Sequence, residues 1–321
     1  MLSAKVFKTL PSRIHSPSVS NKALHNGVAN IQDSPYSTAW QSIGDSKWTF
    51  DDVKEAEDIK SLRRMEETRL NRKRSSAQKV LDKPAVITQI PAQLDKNIVS
   101  NALLLVDKPQ DWSHQEVEQA VRWSLKMKSV SSPGQLEPFA SGLMVLCLGR
   151  ATKLSTLFHE QTNTFSGTIK LGEATNTFDA SGQVTDVLGW DHVSERDIQS
   201  ATDQLLGETL QVPPQYSCIK VGGRRSVMKS LHSDEDGDLC PRPVYIHSFQ
   251  AKSVDFGRGL VDFSITLGQS SMIRSVAHDL GRMLGTCSHL ISLRRENIGA
   301  FSVEDAWTLD VLMPLLKRYR S

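Results

Sequence analysis

Hydrophobic and polar positions divide this chain into two unlike parts, with the change at about Asn97. Before it, residues 33–96 are polar and carry no strand-like apolar run. After it, short apolar runs alternate with helical spacings. Residues 102–106 are continuously apolar and end at Asp107-Lys108-Pro109, which predicts a buried strand and a turn. Between Gln115 and Met127, the positions Val117, Ala120, Val121 and Leu125 recur at helical spacing, with charges on the other face. Residues 143–148 predict a second buried strand after a turn at Gly142, and residues 151–161 a helix. Residues 165–171 and 182–188 read as strands paired with each other. A helix over 194–206 is opened by Ser194, with Asp197 three residues on. Residues 244–256 and 259–267 form a hairpin across Gly257-Arg258-Gly259, and residues 273–284 a helix closed by Gly285. Hairpins mixed with helices, rather than repeating βαβ units, predict an α+β fold with a mixed, mainly antiparallel central sheet flanked by helices.

Composition narrows the class without naming a function. With 321 residues, 39% hydrophobic and 23% charged, the chain is of ordinary globular make-up and long enough for a large core. No apolar run reaches the roughly 18 residues of a membrane span, so no membrane association is expected. A net charge of +2 does not by itself announce nucleic acid. Cys147, Cys218, Cys240 and Cys287 lie far apart, and the nine histidines show no HxxxH or HExxH spacing, so no metal is expected. Ser233–Asp238 is rich in carboxylates but lacks calcium-loop spacing and reads as a solvated loop.

The polar N-terminal part has its own logic. Residues 1–32 carry Lys5, Lys8, Arg13, Lys22 and several serines, with no acidic residue before Asp33. Basic, serine-containing and acid-poor describes an organellar transit peptide, mitochondrial in preference to plastid. Leu2, Val6 and Phe7 with Lys5 and Lys8 predict a short amphipathic helix, and an unstructured cytosolic tail is the alternative. Residues 33–96 form a charged extension, helical or disordered. Within it residues 51–81 crowd Arg63, Arg64, Arg69, Arg72, Lys73, Arg74 and Lys79, a solvated helix face or a contact for RNA phosphates. Pro84 and Pro91 mark a linker.

Six ordered blocks between about residues 102 and 300 carry a specific resemblance. Leu104-Leu105-Val106-Asp107-Lys108-Pro109 opens it. Gly134-Gln135-Leu136-Glu137-Pro138-Phe139-Ala140-Ser141-Gly142 is similar to a G-x-L-D-P-x-A-S/T-G loop, and Cys147-Leu148-Gly149-Arg150-Ala151-Thr152-Lys153 continues it. Then come Leu171-Gly172, Thr175, Thr177, Asp179 and Gly182-Gln183; Gln211-Val212-Pro213-Pro214, Tyr216-Ser217, Lys220 and Gly223; and Ile273-Arg274, Asp279-Leu280-Gly281, His289-Leu290 and Leu293-Arg294-Arg295. The chain resembles pseudouridine synthases of the TruB type over residues 97–321. The resemblance implies an RNA partner, tRNA or rRNA, a flipped uridine as substrate, and neither metal nor organic cofactor. It places Glu137 at the catalytic carboxylate and Arg274 at the arginine that keeps it ionised, with Phe165, Tyr216, Lys220, Met272, Leu293 and Lys108 as substrate-binding candidates. Only residues 301–321 follow Ala300, so no C-terminal PUA-like domain is expected, although the leucines at 309, 312, 315 and 316 are spaced for a short helix.

The same comparison shows departures. Glu137 replaces the family's aspartate, Phe165 and Met272 replace tyrosines, Ser132 stands where many members carry histidine, and Val227 replaces a further tyrosine. An extra methylene moves a carboxylate by about an ångström, a displacement that can cost about a hundredfold in rate. Loss of the tyrosine hydroxyl leaves stacking intact, at roughly 1–3 kcal/mol per base. Reduced or lost isomerase activity with retained RNA binding is therefore expected, within an organellar ribonucleoprotein or ribosomal subunit. An active organellar synthase and a purely protein-binding subunit are the alternatives.

Overall fold

The structure is a computed structural model and describes residues 7–9, 85–87, 99–211, 218–221, 224–227, 242–268 and 271–318. A mixed sheet carries the fold. Its main path uses β1 (Phe7–Thr9), β2 (Ala85–Ile87), β3 (Asn101–Lys108), β4 (Ser141–Gly149), β5 (Thr162–Leu171), β6 (Gly207–Gln211), β7 (Arg242–Asp255), β8 (Leu260–Gly268) and β9 (Ser288–Ile298). In space they run β1-β2-β3-β4-β9-β5-β8-β7-β6, and three short strands at the margins bring the sheet to twelve. The β2–β3 and β4–β9 pairings are parallel, and the other neighbours on the path are antiparallel.

The uninterrupted apolar run in β3 follows from cover on both faces of the sheet. Leu104 and Val106 pack in the larger core with Val117 and Val121 of α1 (His114–Ser124) and Leu312 and Leu316 near the C-terminus. Leu103 and Leu105 face the other way, onto Ala151, Leu154 and Phe158 of the 3₁₀ segment Arg150–Glu160. A strand apolar on both faces has no polarity signal to set its register. Asp107 supplies one, because its carboxylate takes two bonds from the Arg294 guanidinium on β9, at 3.0 and 2.8 Å.

Local chemistry explains the helix ends. Ser113 and Glu116 form a capping box at the start of α1: the Ser113 hydroxyl accepts from the Glu116 N–H and the Glu116 carboxylate accepts from the Ser113 N–H. The helix stops at Ser124, short of Met127, because Lys126 turns left-handed (φ 50°) and Lys126 and Met127 donate back to the carbonyls of Trp123 and Arg122. Ser194 and Asp197 form the second capping box, on α2 (Glu195–Gln204). Helix α3 (Ile273–Met283) packs on β9, with Ile273, Val276, Ala277 and Leu280 in the core. Helix α4 (Leu309–Arg318) follows the leucine spacing.

Three expectations are corrected. Phe7–Thr9 is a strand paired with Ala85–Ile87, not part of an amphipathic helix. Ala85–Ile87 is itself a strand where a linker was expected, since it aligns in parallel with Ala102–Leu104 and buries Val86 and Ile87. Residues 165–171 and 182–188 do not pair with each other. Strand β5 lies between β8 and β9, whereas Val184–Val187 pairs with Glu173–Thr175. Gly172 (φ 89°) turns the chain out of β5, and its N–H goes to the Cys287 carbonyl, so a long-range neighbour takes the edge a local hairpin would have used. The charged segment 51–81, the remainder of the transit-peptide reading, Tyr216 and residues 233–238 lie outside the described residues. Among the described residues no helix is long and apolar enough to cross a membrane.

Candidate active site

The loop from Pro133 to Gly142 joins α1's side of the core to β4, and its shape is held at both ends. Leu136 and Ala140 are buried anchors, and the Ala140 N–H closes a turn on the Glu137 carbonyl at 3.1 Å. Gly142 adopts φ 105° where the loop enters the sheet beside Arg295. A β-carbon there would sit 2.3 Å from the Arg295 carbonyl oxygen, so only glycine fits. Under the loop, the Lys108 amine donates to the carbonyls of Pro109, Trp112 and Pro138 at 2.9, 2.7 and 3.0 Å. The Asp111 N–H adds a second bond to Pro138, at 2.9 Å. Lys108 is fully buried and its burial lowers its pKa to about 8. Its place is therefore beneath the loop, as a tie.

These ties aim Glu137 at α3. Its carboxylate oxygen Oε1 lies 2.5 Å from Arg274 Nη2, and Arg274 occupies the first turn of that helix. The other side of the guanidinium meets the turn 177–179: Nη1 donates to the Thr177 carbonyl at 3.0 Å and lies 3.3 Å from Asp179 Oδ2. Asp179 is buried. Its other oxygen, Oδ1, accepts from the Thr177 hydroxyl (2.9 Å), the Ser181 N–H (2.9 Å) and the Ser181 hydroxyl (2.5 Å). Two carboxylates thus flank one permanent cation at the positive end of a helix, where negative charge is favoured. Asp179 stood in a matched block but was not assigned to the site. The signal was available in Thr177 and Ser181, two hydroxyls spaced to satisfy a carboxylate between them.

The electrostatic result is specific. Crowding by protein atoms raises the Glu137 pKa above the ordinary glutamate range; Arg274 opposes this and Asp179 adds to it. The Glu137 side chain nevertheless keeps 36% of its surface open, whereas Arg274 keeps 10% and Asp179 3%. Of the three charged groups, Glu137 is the one presented to an incoming molecule.

The two apolar candidates lie on the sheet. Phe165 on β5 stands opposite Arg295 of β9, and Gly167 stands opposite Leu293, so Phe165 and Leu293 share one face of the sheet. Phe165 is buried and Leu293 packs at the margin of the same core. Met272 caps α3 with its backbone held by the buried Gln211 side chain, which accepts from the Met272 N–H at 2.7 Å and donates to its carbonyl at 2.9 Å. Gln211 stood in a matched block but was not assigned to the site, since nothing in local spacing ties residue 211 to residue 272. Lys220 lies in the strand Cys218–Val221, paired with Arg224–Val227. Ser132 is hydrogen bonded to His114 Nε2 at 2.6 Å and to Glu118 at 3.2 Å. Among the described residues no cluster of His, Cys, Asp or Glu has the make-up of a metal site.

A half-open carboxylate on a fixed guanidinium suits nucleophilic or ion-pairing chemistry. Comparison with known proteins agrees with this reading. The family described as TruB family pseudouridylate synthase (N terminal domain) matches residues 122–273, and tRNA pseudouridylate synthase B C-terminal domain matches residues 274–321. The tRNA pseudouridine synthase B of Paenarthrobacter aurescens (strain TC1) is 38% identical over 216 residues, covering 66% of this chain and 69% of that protein. The protein of the same name from Opitutus terrae is 35% identical over 215 residues, covering 67% of this chain and 88% of that one. Among solved structures, a chain of a Cbf5-Nop10-Gar1 complex shares the fold with a TM-score of 0.54 at 20% identity, over 70% of this chain and 56% of that chain. A chain of the archaeal box H/ACA sRNP Nop10-Cbf5 complex does so with a TM-score of 0.52 at 18% identity, over 72% and 58%. With relatives 35–38% identical over more than two thirds of their own length, and family models matching residues 122–273 and 274–321, the chain belongs to the TruB family of pseudouridylate synthases.

Proposed function

We propose that this protein binds a folded tRNA or rRNA, accepts a flipped uridine beside Glu137, and isomerises it to pseudouridine at a reduced rate. The observation that carries the reading is the Glu137–Arg274 ion pair, with the carboxylate still open to solvent. Relatives named tRNA pseudouridine synthase B support the substrate class. In the reaction the bond from ribose C1′ to uracil N1 breaks and one from C1′ to C5 forms. The C5 proton leaves and N1 gains one, so no oxidant, reductant or cofactor enters. Glu137 serves as the carboxylate that adds to, or ion-pairs with, the electron-poor intermediate and is regenerated. Arg274 keeps it ionised, and Phe165 and Leu293 supply an apolar bed for the base. The added methylene of glutamate and the missing hydroxyls at Phe165 and Met272 are the reasons for a slow rate.

The cluster of departures at Glu137, Phe165, Met272, Ser132 and Val227 favours a second reading, in which RNA binding persists without turnover in RNA or ribosome maturation. Both readings place the protein in an organelle, the mitochondrion in preference to the plastid, on the basic and acid-poor residues 1–32. The test is pseudouridine formation in tRNA and rRNA transcripts by recombinant protein. Slow conversion that Glu137→Gln abolishes supports the first reading. Tight RNA binding with no pseudouridine in any transcript supports the second, and failure to bind RNA overturns both.

A further inference from the structure

Phe178 sits between the two residues that hold Arg274 from behind, and its backbone is left-handed at φ 61°. A non-glycine side chain in that region costs on the order of 1 kcal/mol, so the surroundings must enforce it. Two kinds of contact do so. The backbone is pinned to β9, since the Phe178 carbonyl accepts from the Leu290 N–H at 3.0 Å and the Ala180 N–H donates to the Leu290 carbonyl at 2.9 Å. The ring is pinned to α3, since it stacks on His278 with centroids 4.0 Å apart and planes within 8°. His278 lies four residues after Arg274 on the same helix, hence on the same face.

We infer that Phe178 is a positioning residue for the Glu137–Arg274 pair, its stack on His278 holding the 177–179 turn in the left-handed conformation that directs the Thr177 carbonyl and the Asp179 carboxylate onto Arg274. The inference rests on the reading of that pair as the reacting centre. Helix α3 grips the turn with two side chains one helical step apart: Arg274 is held by residues 177 and 179, and His278 by residue 178 between them. Burial, with Arg282 nearby and Asp186 opposing, lowers the His278 pKa to about 4, so both rings are neutral at pH 7 and the stack is independent of charge there.

The test separates positioning from mere packing by reading the proton affinity of Glu137. The charged groups that face Glu137 are Arg274 and Asp179. When the turn loosens, Arg274 no longer points steadily at Glu137 and the carboxyl binds its proton more tightly. Phe178→Asn tolerates the left-handed backbone but has no ring; Phe178→Tyr keeps the ring. His278→Leu and His278→Phe form the matching pair on the helix. Carboxyl-carbon NMR titration of Glu137 in the full chain should show a pKa about one unit higher, a tenfold change in proton affinity, in Phe178→Asn and His278→Leu. Phe178→Tyr and His278→Phe should match the wild type. Thermal unfolding of each variant accompanies the titration. Folded Phe178→Asn or His278→Leu protein with an unchanged Glu137 titration overturns the inference, whatever happens to its melting temperature. Absence of pseudouridine formation bears on the proposed function alone, because the titration needs no turnover.

Discussion

Arg274 Nη2 lies 2.5 Å from Glu137 Oε1 while its Nη1 lies 3.3 Å from Asp179 Oδ2, so one guanidinium is shared by an open carboxylate and a closed one. Because Glu137 is crowded by protein atoms and has a second carboxylate beyond the arginine, its pKa is raised. In the proposed reaction the ionised form is the active one, so the acid limb of the pH–rate profile should lie above the roughly 4.3 of an unperturbed glutamate. A folded-state pKa above the unfolded value means that the native state binds the proton more tightly. That contribution is full at low pH and is lost as pH rises through the folded pKa. Glu137→Gln should therefore abolish turnover yet raise the melting temperature at pH 7, as recorded by calorimetry. A lowered melting temperature contradicts the sign.

Glu137→Asp tests the cost of the extra methylene. If the loop geometry suits aspartate, as in the family pattern, the rate of pseudouridine formation should rise by about ten- to a hundredfold, with RNA affinity changed little. An equal or lower rate would assign the proposed slow turnover to Phe165 and Met272 instead.

Lys108 is a buried amine serving three carbonyls, and removing it strands those acceptors. Lys108→Met should destabilise the protein by on the order of 3 kcal/mol, given about 1–3 kcal/mol for each buried polar group left unpaired. Folding lowers its pKa from the ordinary 10.5 to about 8. Between those values the unfolded chain holds the extra proton, so wild-type stability relative to Lys108→Met should grow as pH rises from about 8 to 10.5. Denaturant midpoints of the two proteins across that range give the sign directly.

Gln211 clamps the residue that caps α3, two positions before Arg274. Gln211→Leu leaves the Met272 N–H and carbonyl without these partners and should cost about 2 kcal/mol. The loss should appear in kcat more than in RNA binding, because the cap sets the direction of Arg274. Single-turnover rates against filter-binding affinity separate the two.

Gly142→Ala puts a methyl group 2.3 Å from the Arg295 carbonyl oxygen and 2.6 Å from its nitrogen, at a left-handed φ. The backbone seam between β4 and β9 must open, at a cost of roughly 3 kcal/mol or more in stability. A melting temperature within a degree of wild type contradicts this packing account.

Local signals proved sufficient for the helix cap at Ser194, the hairpin across residues 257–259 and the turn at Gly142 beside Glu137, because each depends on neighbours a few residues away. They did not reach the pairing of β5, whose neighbours are residues 260–268 and 288–298. Nor did they reach the strand pairing of Phe7–Thr9 with Ala85–Ile87, because three-residue strands have too little pattern to read.

The site divides in the same way. The resemblance to TruB-type blocks pointed to a carboxylate at 137 and a cation at 274, with Phe165 and Leu293 as apolar companions. Only the tertiary structure decided that Asp179 shares the arginine, that Gln211 sets its helix, that Phe178 braces the turn behind it, and that Lys108 lies beneath the loop. Periodicity reports which face of an element a side chain occupies, whereas the partner of a buried charge is chosen by packing between segments far apart in the chain.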